Sequence, residues 1–253
     1  MQLNLSIAGN ARVRPILPKL LCLSVAVWLT GGHSRAGESG LLFHLPFEGN
    51  LTAEIANGKS EGEVRKSGNE QVTFVEGVKG QALLARNTAI TFPIRDCFSV
   101  SQGSVCFWVK PVDWDPEKPS ENWNTFFDAY QQSGAGGDDK IAFWRYPKTM
   151  SEGFYNYHSA QGNNLDNFML KLPDWKQDQW RFFVFTWAKD GTSKLFVDGK
   201  RIAVTTRPKE RLPVTITKLT IGGGGSAYDE FKVYAFPLGE EEVERQFRSV
   251  QLR

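Results

Sequence analysis

Residues 179–201, QWRFFVFTWAKDGTSKLFVDGKR, constrain the fold more than any other stretch, because strands and the turns that bound them are written out together. Arg181 to Ala188 is crowded with aromatic and β-branched side chains, which suit a pleated surface, and it stops at Asp190-Gly191. Lys194 to Val197 then meets Asp198-Gly199, where glycine accepts the positive φ of a two-residue hairpin turn, and Ile202 to Val204 returns antiparallel. Short apolar runs recur along the chain at Leu41 to Phe47, Val72 to Phe74, Ala82 to Leu84, Ala89 to Phe92, Val105 to Val109, Thr125 to Ala129, Lys140 to Trp144, Gly153 to Tyr157 and Asn167 to Lys171. Separated by Gly, Asn and Asp clusters and almost free of helical periodicity, they predict an all-β fold: a two-sheet antiparallel β-sandwich. Gly239 to Leu252 is the exception. Glutamates crowd its start, arginines its end, and Val243, Phe247 and Val250 recur at helical spacing, so a short C-terminal helix docks an apolar stripe on the sandwich.

The N-terminus reads differently. Arg12, Arg14 and Lys19 precede the apolar run Leu20 to Leu29, and Ser34 and Ala36 hold the small-residue positions before Gly37. Residues 1–36 are therefore expected to be a signal peptide, with 37–253 the folded domain and the product secreted, periplasmic or on the cell surface. The uncharged stretch Leu20 to Gly32 is too short to span a bilayer, which needs about 20 residues, so no membrane insertion is expected after cleavage. The leader carries four of the 30 Lys and Arg and none of the 28 Asp and Glu, which leaves the domain at −2. No basic stripe remains, and nucleic acid is not an expected partner.

Cys97 and Cys106 flank Phe98 to Val105. A turn centred on Ser101-Gln102 sets them opposite each other for a disulfide, whereas a longer connection leaves two buried thiols. Pro111 to Asn124, with three prolines and two tryptophans, and the polar, Gly-rich Gln131 to Lys140 are expected as surface loops.

Several motifs together resemble the LamG-like jelly-roll domains of the concanavalin A-like lectin/glucanase superfamily. In chain order they are Leu45 to Asn50, Gly103 to Pro111, Gln179-Trp180, Val197-Asp198-Gly199, Ile221-Gly222, Asp229-Glu230, and Leu238 with Glu240 to Glu242. The resemblance spans nearly all of residues 41 to 250 and implies a concanavalin A-like jelly roll, a fold that serves many functions. It also implies packing roles for Trp108, Trp180 and Trp187. A structural calcium ion, frequent in the superfamily, would by position use Glu48, Asn50 and Asp229, although the Asp-rich loop usual after the first strand is missing.

Glycosidic hydrolysis needs two carboxyl groups at a fixed separation. The laminarinase-like members of the superfamily carry theirs as E-x-D-x-x-E, and no Glu of this chain is followed two positions later by Asp. No Cys/His cluster has zinc spacing. Sugar binding fits the sequence better, since pyranose C–H faces stack on aromatic rings while hydroxyls pair with amides and carboxylates. The candidates are Trp114, Trp123, Trp144, Tyr146, Tyr155, Asn156, Tyr157, His158, Asn163 and Asp166, with Trp114 and Trp123 expected to be exposed. The sequence thus reads as a secreted, non-catalytic carbohydrate-binding or adhesion module whose partner is a glycan or polysaccharide. Two alternatives stay open: a polysaccharide-degrading enzyme with an atypical site around Tyr155, Tyr157 and His158, and a module that binds an extracellular protein.

Overall fold

The computed structural model describes residues 39–66, 71–133, 137–148, 153–160, 163–172, 174–206 and 216–251; the expected leader lies outside them. The strands are β1 (Leu41–Leu45), β2 (Ile55–Ala56), β3 (Glu63–Lys66), β4 (Thr73–Glu76), β5 (Gln81–Ala85), β6 (Thr88–Pro93), β7 (Gly103–Pro111) and β8 (Asn124–Ser133). They continue as β9 (Gly137–Tyr146), β10 (Gly153–Ala160), β11 (Asn163–Leu170), β12 (Arg181–Trp187), β13 (Thr192–Val197), β14 (Lys200–Thr206), β15 (Lys218–Ile221) and β16 (Ser226–Tyr234), before helix α1 (Glu240–Gln251).

Two antiparallel sheets stack face to face. One runs β14-β13-β12-β7-β16-β1-β2, with β5 joined to β16 and β4 to β5, and the other runs β11-β10-β9-β8-β15-β6-β3. Each strand alternates its side chains between faces, so one face of each sheet is apolar and must be covered. Phe107 on β7 sits where the two faces meet: its ring centroid lies 5.8 Å from Phe183 and 5.6 Å from Phe231 in its own sheet, and 5.7 Å from Phe127 and 6.2 Å from Phe143 across the interface. One residue along, Trp108 points to the opposite face, where it packs at 5.1 Å on Phe182 and stacks at 5.6 Å on Phe247 of α1. The helix therefore covers the back of the larger sheet with the apolar stripe expected from its sequence, Val243 being fully buried.

The hairpin expected from sequence is present. Val197 pairs with Lys200, and Asp198 and Gly199 adopt φ of 50° and 80°. Asp198 also ties the turn to β12, accepting from the Phe182 amide at 2.9 Å and from Arg181 Nη1 at 2.6 Å.

Two strand boundaries differ from the sequence reading. Gln131 to Lys140 is not a loop: the β8–β9 ladder continues through Gln131 with Asp139, Gln132 with Asp138 and Ser133 with Gly137. Backbone ladder bonds need no apolar side chains, so polar composition hid the strand ends. For the same reason β11 starts at Asn163, and the short β2 and β3 carried no sequence signal. Trp180 packs, as the resemblance implies, against the helix-side cluster while staying half-buried, with Lys110 Nζ 4.9 Å from its ring centroid. Cys97 and Cys106 are free and buried, one in the inter-sheet core and one in the helix-side cluster, so the larger sheet stands between them. Burial pushes the Cys106 thiol up to about 12.

Since Phe107 bridges both sheets, Phe107→Ala is expected to lower unfolding free energy by about 3–5 kcal/mol, whereas Ile202→Thr on the exposed face of β14 changes it by about 0.5 kcal/mol or less. Denaturant titration checks both.

Candidate binding groove

The Pro-rich connection from β7 to β8 is held at both ends. Val112 and Asp113 donate their amides to the Gly225 carbonyl at 3.0 and 2.9 Å, and Lys148 donates its amide to the Ser120 carbonyl at 2.9 Å. Gly222 to Gly225 carry φ of 98°, 114°, 68° and 71°, four successive positive values that explain the run of glycines. The fully buried Tyr228 hydroxyl lies 3.2 Å from the Gly223 and Thr125 carbonyls and donates between them, tying this turn to β8.

Arg145, on β9, organises the connection from beneath. It is only 2% exposed, its guanidinium lies 4.6 Å from the Trp114 ring centroid and 5.7 Å from that of Phe154, and it donates to the carbonyls of Asp115, Pro116 and Lys118. A delocalised, weakly hydrated cation is suited to such a site, where aromatic faces and carbonyl dipoles replace water. Asp115 accepts from the Glu117 amide at 3.0 Å and from Lys118 at 3.0 Å, and these contacts hold its carboxyl below the usual range.

Above this framework lies a groove of about 720 Å³, bounded by Arg86, Asn87 and Asp113 on one side, by Asn122, Trp123 and Asn124 on the other, and by Gly224 and Gly225. Trp123 is 41% exposed, its ring 4.2 Å from Tyr146 and 5.3 Å from Trp144 between centroids. Strand alternation puts Phe143 in the inter-sheet core and Trp144 on the outer face, where Lys140 lies 5.2 Å over its ring and pairs with Asp128 at 3.3 Å. A solvent-open ring backed by two others beside a polar channel can stack a flat apolar ligand face while amides meet its polar edge.

The structure brings together four of the residues expected from sequence. Trp114 and Trp123 both line the groove, and Trp144 and Tyr146 support Trp123. Trp114 is half-buried rather than exposed, packed edge-on at 5.4 Å against Trp175, with its Nε1 donating to Ser226 Oγ at 2.9 Å. On the adjacent strand Tyr155 pairs with Trp144, Asn156 with Phe143, Tyr157 with Ala142, and His158 with Ile141 and Asp166, while Asn163 pairs with Ala160. The side chains of Tyr155, Asn156, Tyr157, His158, Asn163 and Asp166 lie outside the described residues. Sequence reasoning missed Asn124 and Arg145. The second left a usable signal, a single charge inside the aromatic strand run Phe143-Trp144-Arg145-Tyr146.

The residues considered for calcium do not form a cage. Glu48 Oε2 accepts from the Gln81 amide at 2.9 Å, and Asn50 closes its own turn through Thr52. Asp229 Oδ2 accepts from the Val78 and Lys79 amides at 2.8 and 3.0 Å, and its Oδ1 from the Glu230 amide at 2.8 Å. These oxygens accept amide hydrogens, and among the described residues no three His, Cys, Asp or Glu converge on a metal position. Next to Asp229, a cavity of about 530 Å³ under α1 contains His44, Glu230, Lys79 and Lys232, already paired among themselves. Burial opposes ionisation of Glu230, yet His44 and Lys232 hold its carboxyl well below the usual range.

A family model, Laminin_G_3 of the concanavalin A-like lectin/glucanases superfamily, matches residues 84–244. No curated protein matches the chain in sequence. Among solved structures, the binding domain of Paraclostridial Mosquitocidal Protein 1 superposes with a TM-score of 0.63 at 15% identity over 84% of this chain and 53% of that one. The binding domain of Botulinum Neurotoxin DC in complex with SialylT gives a TM-score of 0.66 at 14% identity over 85% and 53%. Domain 4 of AbnA, a GH43 extracellular arabinanase from Geobacillus stearothermophilus in complex with arabinotriose, gives 0.55 at 19% identity over 81% and 97%. The chain thus spans about half the length of the two toxin domains, and at these identities the likeness is one of fold.

Two outcomes follow from the site. Arg145→Met keeps the apolar stem but removes the carbonyl clamp, so chymotryptic cleavage after Trp123 is expected to accelerate while the far-UV spectrum is kept. Burial, and secondarily the Glu230 charge, push Asp229 up to about 7 against its three amide donors, from an ordinary 3.8. Between those values the folded chain holds a proton that the unfolded chain has released, so this group's contribution to stability falls as pH rises from 4 to 7. Denaturant midpoints across that window are expected to fall less in Asp229→Asn than in the wild type, with the wild-type profile unmoved by calcium or by EDTA.

Proposed function

We propose, for a chain that belongs to the Laminin_G_3 family of the concanavalin A-like lectin/glucanase superfamily, the role of a secreted, non-catalytic carbohydrate-binding module. The observation that carries this reading is Trp123: a large apolar ring left 41% exposed, backed by Trp144 and Tyr146, at the lip of a polar groove. A ring left open beside a polar groove is available to a ligand, and a sugar ring offers the matching combination of apolar face and hydroxyl edge. Two structures of the same fold, the arabinanase domain with arabinotriose and the botulinum domain with SialylT, are complexes with carbohydrate, which supports the same use of the fold here. The leader-like residues 1–36 support export, and no helix among the described residues is long and apolar enough to cross a membrane. The absence of an E-x-D-x-x-E strand favours binding over hydrolysis.

Binding of the wild type to a polysaccharide and oligosaccharide panel, followed by calorimetry on the best ligand, tests the reading. Trp123→Ala is expected to weaken binding about tenfold or more, the ~1.4 kcal/mol or more of an aromatic hot spot, while Ile202→Ala leaves it unchanged. A wild type that retains no glycan on the panel overturns the proposal, and release of reducing ends from a bound chain moves the protein to the enzymes.

A further inference from the structure

We infer that the groove beside Trp123 selects an uncharged glycan over an acidic one, and that Asn124 is the residue that reads its hydroxyls. This rests on the carbohydrate-binding reading above. Every charged side chain that lines the groove already has a partner. Arg86 pairs with Asp113 at 2.8 Å, Lys118 with Asp115 at 3.0 Å, and Glu121 with Lys148. Arg145 directs its guanidinium to three backbone carbonyls. The lining carries three cations and three carboxylates, and with Lys148, which pairs with Glu121 from outside it, the set is within one charge of neutral, so the groove offers little focused field to a uronate or a sialic acid. A carboxylated sugar would have to separate one of these pairs and expose its carboxylate partner.

The polar capacity that is left over is neutral. Asn124 lines the groove, is 4% exposed, and its Nδ2 has no hydrogen-bond partner among the described residues. A buried amide donor without an acceptor is rare and unfavourable, and a ligand hydroxyl is the acceptor it lacks. Gly224 makes this wall possible: a Cβ at that position would lie 2.9 Å from Asn124 Cγ, so only glycine lets the turn pass against the amide. Trp123 then supplies the stacking face and Asn124 the hydroxyl contact.

Calorimetry with neutral arabino-, xylo- and cello-oligosaccharides, and with oligogalacturonate and sialyllactose, tests the inference on the wild type, Trp123→Ala and Asn124→Leu. The wild type is expected to bind a neutral chain at least about tenfold more tightly than any acidic one, with a Kd that moves less than about twofold between low and high salt. Asn124→Leu, close in shape and without polar atoms, is expected to weaken binding about tenfold or more with a melting temperature equal to or above that of the wild type. A purely structural asparagine would lower the melting temperature instead. Preference for the acidic chains, a steep salt dependence, or unchanged affinity in Asn124→Leu overturns the inference and leaves carbohydrate binding standing. Failure of the wild type to bind any of these sugars while Trp123→Ala is likewise silent removes both. Should Asn124→Leu not fold, Asn124→Ala takes its place, and unchanged affinity in it overturns the role of Asn124.

Discussion

The contact between Phe107 and the rings around it is the condition on which the rest of the molecule depends. A β-sheet with one apolar face is unstable in water until that face is covered, and here the cover is the other sheet. Phe107 meets Phe127 and Phe143 across the interface and Phe183 and Phe231 beside it, so one side chain couples β7, β8, β9, β12 and β16. With those strands fixed, alternation settles what their next residues face. Trp108 turns to the helix, Trp144 to the open face of the smaller sheet, and Arg145 to the base of the Pro-rich connection.

The groove is therefore a product of the framework rather than of a loop acting alone. Arg145 draws three carbonyls of the connection onto a buried cation, and Tyr228 ties the glycine turn to β8. Both anchors stand on strands, which are held by ladder bonds along their length. A binding surface built this way loses little conformational freedom when a ligand arrives, which favours affinity for a weakly interacting partner such as a sugar. The larger sheet uses its polar groups differently: Glu230 gathers His44, Lys79 and Lys232 around one buried carboxylate under α1.

Calcium illustrates where resemblance and geometry part. The superfamily pattern points to Glu48, Asn50 and Asp229 by position, and the fold does place Glu48 and Asp229 around one turn. Both carboxylates accept from amides of the 78–81 segment.

Much of the architecture was legible because strand signals are local. Alternating apolar residues, the Asp198-Gly199 turn and the charge gradient of α1 each act within a few residues, and the structure has them where the sequence puts them. Strand ends at Gln131 to Ser133 and at Asn163 were not legible, since backbone pairing is indifferent to polar side chains. The sequence by itself determined that this chain forms a two-layer β-sandwich with a docked helix and aromatic loops. Only the tertiary structure decided that Trp114 faces inward while Trp123 stays open, that Cys97 and Cys106 stand on opposite sides of one sheet, and that Asn124 keeps a donor without an acceptor among the described residues. Those outcomes depend on which strands become neighbours across the stack, a long-range matter of packing that no local run of residues encodes.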